Sequence, residues 1–564
     1  MLIAAGVLIA GLSVAGATPL GAVGASSVPA VYADQELDWS ACFPPEFELP
    51  LECASMRVPL DWAHPNGPDT LEVAVSRVPS TGEPRGVLFT NPGGPGYPGS
   101  FLLPLFFHFA KPDVVAAYDV IGLDPRGSGE STPVHCETLS DVELPADVRN
   151  RSPENRAQLR SFAQAYLDRC LEPAGDLVRY TNTFQTIRDL DLLRALLGEE
   201  RISYYGYSAG TWLGAWYAGQ FPGRVDRFVF DGNIDFTSSW YDLTASWPRA
   251  VQRKFETDFL PWIAQHDETY GYGSSAGEAM VTWEARRAAL VAQPLVVSPG
   301  CTIRATDFDQ TTWKTLGFDG VGGPGFLELG QGLSILERFD EATPEELQFV
   351  NDFFECLEKP ASFEGMGPAE VGTGCGDTPS PDYDTYAKDS EQLGRRYPLL
   401  GWLAETLGGH CAFWPFPVTE KPRLDGKGLP PILMVNNDRD PLTPIEGARH
   451  AAAKFKAARL LVVENESHHT IYGLGNECAD GYVDRYLLDG VLPTKGATCE
   501  GLSLPDPTAA SSRVAGGGAG RSELTRDRLR SRIESIASAI GEPAERAGEG
   551  AATPPRLVRR ATGS

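Results

Sequence analysis

No Cys-x-x-Cys pair and no His-Glu-x-x-His run occurs anywhere in these 564 residues. Their absence removes the usual zinc-site and thioredoxin-like redox readings. Positive charge is scarce as well: 48 Lys and Arg stand against 75 Asp and Glu, a formal net charge of −27. Nucleic-acid phosphates are met with Lys and Arg, so no nucleic-acid partner is expected. The same charge favours solubility and attracts a substrate with a positive group, such as a peptide amino terminus. Also missing is an unbroken apolar run long enough to cross a bilayer. Residues 1–33 come nearest, apolar and uncharged up to Asp34, but Gly and Pro interrupt them. No stable membrane span is expected.

Residues 1–33 read instead as a signal peptide, with small-residue cleavage sites near Ala17, Ala25 or Ala33, although a basic leading segment is absent. A secreted, extracellular location follows, free or associated with the cell wall. Ten cysteines occur after that segment, and an even number in an oxidising compartment implies disulfides. Local spacing suggests Cys42–Cys53, Cys136–Cys170 and Cys478–Cys499. Cys301, Cys356, Cys375 and Cys411 are left to pair in any of three ways.

Length alone suggests about three domains, but the pattern along the chain points to one sheet with a large insertion. Apolar, β-rich runs at residues 85–90, 117–123, 201–205 and 227–232 alternate with helical runs, one of them at 183–197. Strands separated by helices imply a parallel sheet covered on both faces. The rhythm breaks over residues 234–429, which are rich in Trp, Phe, Gly and acidic residues; this stretch is expected to be a mainly helical cap insertion. Strand runs resume at 431–436 and 459–464. The expected division is therefore a core of residues 34–233 and 430–504, a cap of 234–429, and a disordered Ala-, Gly- and Arg-rich tail of 505–564.

The chemistry centres on Gly206-Tyr207-Ser208-Ala209-Gly210, which lies between a strand run and a helical run. Strand, sharp turn and helix form the context of a nucleophile elbow, and the expected fold class is the α/β-hydrolase fold with a mostly parallel sheet. Serine is a weak nucleophile and needs a base, which in turn needs an orienting acid. In this fold the order is Ser, then Asp or Glu, then His, the last two on loops after later strands. Asp440 follows one such strand, with Asp438 as competitor; His469 follows the next, with His468 as competitor. Ser208, Asp440 and His469 are the expected catalytic residues. The backbone N–H groups of Ala209 and of Gly94, in Pro92-Gly93-Gly94-Pro95-Gly96, are the expected oxyanion hole. A second Gly-Gly-Pro-Gly at residues 322–325 lacks a preceding strand and reads as a loop only.

Taken together, these motifs resemble the secreted tripeptidyl aminopeptidases of actinobacteria, in the proline-iminopeptidase-like branch of α/β-hydrolases. The resemblance rests on Asn91 to Gly96, on Asp124-Pro125-Arg126-Gly127-Ser128-Gly129 and on the elbow at Ser208. It extends to Asp440-Pro441-Leu442-Thr443-Pro444, His469 and the run from Tyr486 to Pro493. It implies a serine exopeptidase that removes tripeptides from free amino termini, with Ser208, Asp440 and His469 as triad and with no cofactor or metal. Peptide or protein amino termini are the implied partners. Three positions depart from the family pattern: Ala209 where Tyr is common, Tyr97-Pro98 where small residues follow the oxyanion turn, and His468 where Gly precedes the base. Aminopeptidase action also needs an acceptor for the substrate ammonium, for which Glu355 and Glu358 of the cap are the candidates. The same machinery would serve a carboxylesterase or lipase-like hydrolase. A non-catalytic surface protein would be marked by loss of a triad residue, and none is lost.

Overall fold

Apolar side chains run almost unbroken along the central strands, and both faces of those strands are buried. The computed structural model describes residues 28–42, 50–137, 143–319, 325–354, 367–508 and 558–559. Its strands are β1 (Ser40–Ala41), β2 (Glu52–Pro59), β3 (Asp69–Val78), β4 (Val87–Asn91), β5 (Asp119–Leu123), β6 (Ile202–Tyr207) and β7 (Val225–Asp231). They continue with β8 (Leu295–Ser298), β9 (Cys301–Ile303), β10 (Ile432–Asn437), β11 (Ala458–Glu464), β12 (Thr498–Glu500) and β13 (Val558–Arg559). One large sheet runs in the order β1-β2-β3-β5-β4-β6-β7-β10-β11-β12. From β5 to β12 every pairing is parallel, so the sheet is mostly parallel, as expected. The antiparallel edge β1-β2-β3 escaped the sequence reading. Its strands mix Glu, Arg and Ser with half-buried residues, which blurs the period-two signal.

Successive side chains of a strand point to opposite faces. Phe89, Tyr204, Phe228, Phe230 and Met434 accordingly join one apolar cluster with the helices Thr183–Leu196 and Ala209–Gln220. Leu88, Tyr205, Val229, Leu433 and Val435 join another, with the helices Gly99–Phe109 and Glu477–Asp489. Helix Ala209–Gln220 is buried all round, from Ala209 to Ala218. Each of its two indoles, Trp212 and Trp216, removes ~150–250 Å² from water, an upper-bound stabilisation of about 4–6 kcal/mol apiece. That packing anchors the turn in front of the helix.

Between Asp231 and Ile432 the chain leaves the sheet. Helices dominate, among them Trp240–Lys254, Ala276–Ala292, Ala305–Phe318 and Tyr383–Arg396, with one small hairpin of β8 and β9. They enclose an apolar cluster around Phe259, Trp262, Trp283 and Trp313. Leu144, Val148 and Leu159 belong to that cluster, and Tyr166, Leu167 and Val178 form another with Val371, Cys375 and Cys411. The excursion after β5, expected with the N-terminal core, thus packs on the inserted helices. Position in the chain groups these residues with the core, whereas their apolar faces match the insertion.

Disulfides join Cys42–Cys53, Cys136–Cys170, Cys375–Cys411 and Cys478–Cys499. The three local pairs are as expected, and Cys375–Cys411 resolves one choice left open. Cys301 is disulfide-bonded too, while Cys356 lies outside the described residues. So do Glu355, Glu358, residues 1–27 of the expected signal peptide and most of the expected tail. Val558–Arg559 of that tail pairs antiparallel with β3. Among the described residues no helix is long and apolar enough to cross a membrane.

Candidate active site

Strand order reverses around β4: the chain steps from β4 to β5 on one side, then returns to place β6 on the other. Sites in such sheets form at the carboxyl ends of strands at this switch point. The two strand ends there carry Asn91-Pro92-Gly93-Gly94 and Tyr207-Ser208. Ser208 has φ 51° and ψ −121° and caps helix Ala209–Gln220, a backbone state that costs energy for a residue with a Cβ. Its N–H donates to the carbonyl of Asp231 (2.9 Å). A Cβ at Gly206 would lie 2.7 Å from the Gly210 carbonyl oxygen, and one at Gly210 2.7 Å from that of Asn91. Both glycines of the pentapeptide are therefore demanded by close backbone approach.

Ala209 is the first residue of the helix, so its N–H has no acceptor within it. Gly94, at φ 107°, lines the cavity in front of Ser208. Gly93 beneath it is pressed against the elbow, since a Cβ there would sit 2.6 Å from the Tyr207 carbonyl oxygen. The two expected oxyanion donors thus belong to segments in direct contact.

Asp440 and His469 stand on the loops after β10 and β11. His469 Nδ1 lies 3.0 and 3.1 Å from the two carboxylate oxygens of Asp440. Asp440 is fully buried and accepts the N–H groups of Leu442 and Thr443 (2.8 Å each) and the Thr443 hydroxyl (2.6 Å). Burial pushes its carboxyl up, but the charge of His469 and the hydrogen bonds from His469 and Thr443 outweigh that and hold it below the usual range. The competitors point elsewhere. Asp438 accepts the Glu466 N–H (3.0 Å). His468 binds Glu466 through Nδ1 (2.6 Å) and has Asp319 near Nε2 (3.8 Å).

Ser208 and His469 face a common cavity of about 510 Å³ that is also lined by Gly94, Tyr97, Trp247 and Glu370. That volume falls in the range of ligand pockets, roughly 300–1,000 Å³. The inserted helices roof it and reach the loops of His469 and Asp440. Lys254 donates to the Ser467 carbonyl (2.8 Å), and Trp247 Nε1 to that of Leu442 (2.7 Å).

Two family models match the chain: "alpha/beta hydrolase fold" over residues 87–290 and "TAP-like protein" over residues 398–499. Tripeptidyl aminopeptidase of Streptomyces coelicolor is 33% identical over 86% of this chain and 90% of its own length. The chain belongs to the tripeptidyl aminopeptidase family. Serine protease Hip1 of Mycobacterium tuberculosis is 28% identical over 82% of this chain and 91% of its own. Carboxylesterase B of the same species is 29% identical over 88% and 97%. Within this family the chain is a serine hydrolase of the peptidase type, built on the α/β-hydrolase fold.

Two of the family departures have a visible setting. Tyr97 opens onto the cavity, while His468 is enclosed by Glu466, Asp319 and Lys254. Three side chains at the site were missed. Glu370 lines the cavity and accepts the Tyr166 hydroxyl (2.7 Å), and burial raises its carboxyl above the usual range. Nothing in its helix Gly367–Gly376 distinguishes it in sequence from the other acids of the insertion. Thr443 serves the acid from three residues away. Asp231, at the end of β7, carried a usable signal: an acid at a parallel strand's carboxyl end.

Proposed function

We propose that this protein is a secreted exopeptidase that releases tripeptides from free amino termini through an acyl-enzyme. Ser208 attacks the scissile carbonyl, His469 takes its proton and returns it to the leaving amine, and Asp440 orients the imidazole. The N–H groups of Ala209 and Gly94 receive the oxyanion. The observation that carries this reading is the His469–Asp440 pair, at 3.0 Å, beside a cavity that His469 shares with Ser208 and Gly94. Tripeptide release is supported by the named activity of the Streptomyces relative and by a pocket large enough for a short peptide. Secretion is supported by the disulfides and the uncharged apolar leader. For the ammonium the reading keeps an acid of the insertion. Glu370 fits that role on position and charge, alongside the sequence candidates Glu355 and Glu358.

A carboxylesterase reading is favoured by one observation, the relative named Carboxylesterase B. Tripeptide anilides with free and acetylated amino termini, run beside short-chain nitrophenyl esters, separate the two. The peptidase reading expects the free-amine peptide to turn over fastest; turnover of esters alone, or of the acetylated peptide as fast, would overturn it. A fluorophosphonate probe should label the wild type and leave Ser208→Ala unlabelled. Equal labelling of both would remove Ser208 as nucleophile.

A further inference from the structure

Asp231 touches both halves of the proposed machinery. Its backbone carbonyl accepts the N–H of Ser208 (2.9 Å). Its carboxylate Oδ2 accepts the N–H groups of Ile471 (3.2 Å) and Tyr472 (2.9 Å) and the Tyr205 hydroxyl (2.9 Å). Ile471 and Tyr472 directly follow His469-Thr470. The next residue, Gly232, sits so close to the base that a Cβ there would lie 3.3 Å from His469 Cε1.

The loop that Asp231 grips is strained. Thr470 has φ 67°, a left-handed state that is an outlier for a β-branched residue. Such a state persists only where neighbours over-determine it. Asn437 holds one side, donating to the carbonyls of His468 and Thr470 (2.8 Å each). Asp231 holds the other through the two N–H groups beyond Thr470. Asp231 is completely buried, and its Oδ1 has no hydrogen-bond partner among the described residues. A neutral amide of the same shape would satisfy the same N–H donors, so a carboxylate here exceeds what holding the backbone requires.

We propose that Asp231 is a positioning residue for the reaction: its carboxylate clamps the strained loop behind His469 and places a second negative charge beside the imidazole, in addition to Asp440. This rests on Ser208 and His469 being nucleophile and base. The charged or titratable groups facing it are Tyr205 and Tyr207 from β6, His469 from its own loop, and Asp480 from helix Glu477–Asp489. Burial first of all raises the Asp231 carboxyl, to about 6, while the N–H groups of Tyr472 and Ile471, the Tyr205 hydroxyl and the charge of His469 act to lower it.

The test compares wild type, Asp231→Asn and the double variant Asp231→Asn/Thr470→Gly by fluorophosphonate labelling rate and by the pH profile of kcat/KM on a free-amine tripeptide anilide. With Asp231→Asn the backbone contacts survive while the charge is lost. The expected result is a folded protein with KM nearly unchanged, labelling about tenfold slower, and an acid limb of kcat/KM moved down by about one pH unit. Glycine adopts positive φ freely and the amide keeps the backbone clamp, so adding Thr470→Gly should change neither the slowed labelling nor the shifted acid limb; rescue of the labelling rate by glycine would assign the loss to the backbone and overturn the role given to the charge. A wild-type rate and acid limb in Asp231→Asn would overturn the proposal, and so would failure of that isosteric variant to fold. Labelling of Ser208→Ala would instead sink the underlying triad reading.

Discussion

A serine held at φ 51°, an imidazole held by a buried carboxylate, and a cavity-lining glutamate set what this site can do. Glu370 gives the sharpest prediction at this scale. If it receives the substrate ammonium, Glu370→Gln should raise KM for free-amine tripeptide anilides roughly 10- to 100-fold, the worth of a charged hydrogen bond. Acetylated peptides and the fluorophosphonate probe should be unaffected. Steady-state kinetics on the paired substrates check this, and an equal loss on both would assign Glu370 a structural role. The charged residues of the Asp124–Gly129 motif, Asp124 and Arg126, do not line the cavity. Asp124 accepts the Ser100 N–H (3.0 Å) and hydroxyl (2.8 Å). Asp189 is locked to Arg126 by two hydrogen bonds of 2.6 and 2.8 Å in a side-chain pair wholly shielded from water. Asp124 and Arg126 thus build the scaffold.

Single elements show why the elbow tolerates so few residues. Gly210 lies in a helix, where intrinsic propensity favours alanine by about 1 kcal/mol. The added Cβ, however, would meet the Asn91 carbonyl oxygen at 2.7 Å and its side-chain oxygen at 2.9 Å. Backbone cannot yield as a side chain does, so sterics should win. Gly210→Ala is expected to lower Tm and slow fluorophosphonate labelling, because it pushes the helix away from the turn that begins at Asn91. Gly277, in helix Ala276–Ala292, has nothing among the described residues within 4 Å of an added Cβ. Gly277→Ala should therefore be neutral or stabilising by up to about 1 kcal/mol. Thermal melts of the pair decide: a stabilised Gly210→Ala would mean that the turn and helix are not in the close contact described here. Helix Trp240–Lys254 acts at the same scale, since Lys254 and Trp247 tie the inserted layer to the loops of His469 and Asp440.

Burial summed over the molecule makes its stability depend on pH. Asp231 is raised to about 6, and Asp377 and Asp480 to about 7, with burial the largest cause in each. Between about pH 4 and those values the folded chain keeps protons that the unfolded chain has released, so their contribution falls as pH rises. His410 acts in the opposite sense: burial, then the charge of Arg169, lowers it to about 3, so stability is lost as pH drops below 6.5. The carboxyls outnumber the imidazole and their window extends higher. Tm should be greater at about pH 5.5 than at about pH 8; calorimetry showing the reverse would contradict these assignments.

The amino terminus supplies another whole-molecule prediction. Tyr32 is 2% exposed within the main core cluster, and its carbonyl accepts Gln35 Nε2 (2.9 Å). Cleavage after Ala33 would remove it, whereas cleavage near Ala17 or Ala25 would keep it. If the chain is exported and processed, intact-mass analysis should place the mature terminus at or before Val28, and a start at Asp34 would refute this.

Read alone, the chain carries the parallel-sheet rhythm, the glycine-flanked turn at Ser208, the glycine turn after β4, and Asp440 and His469 just past their strands. Each is a local pattern: a periodicity, a turn that only glycine permits, or a residue just past a strand. Tertiary structure decided what depends on distance across the chain. It set His469 rather than His468 against Asp440, paired Cys375 with Cys411, and packed the excursion after β5 on the inserted helices. Likewise, it brought Glu370 into the cavity of Ser208 and Asp231 under the loop of His469. Adjacent acids and histidines look alike in sequence because their roles come from which way the folded backbone points them and from the groups they meet, and packing across the chain sets both.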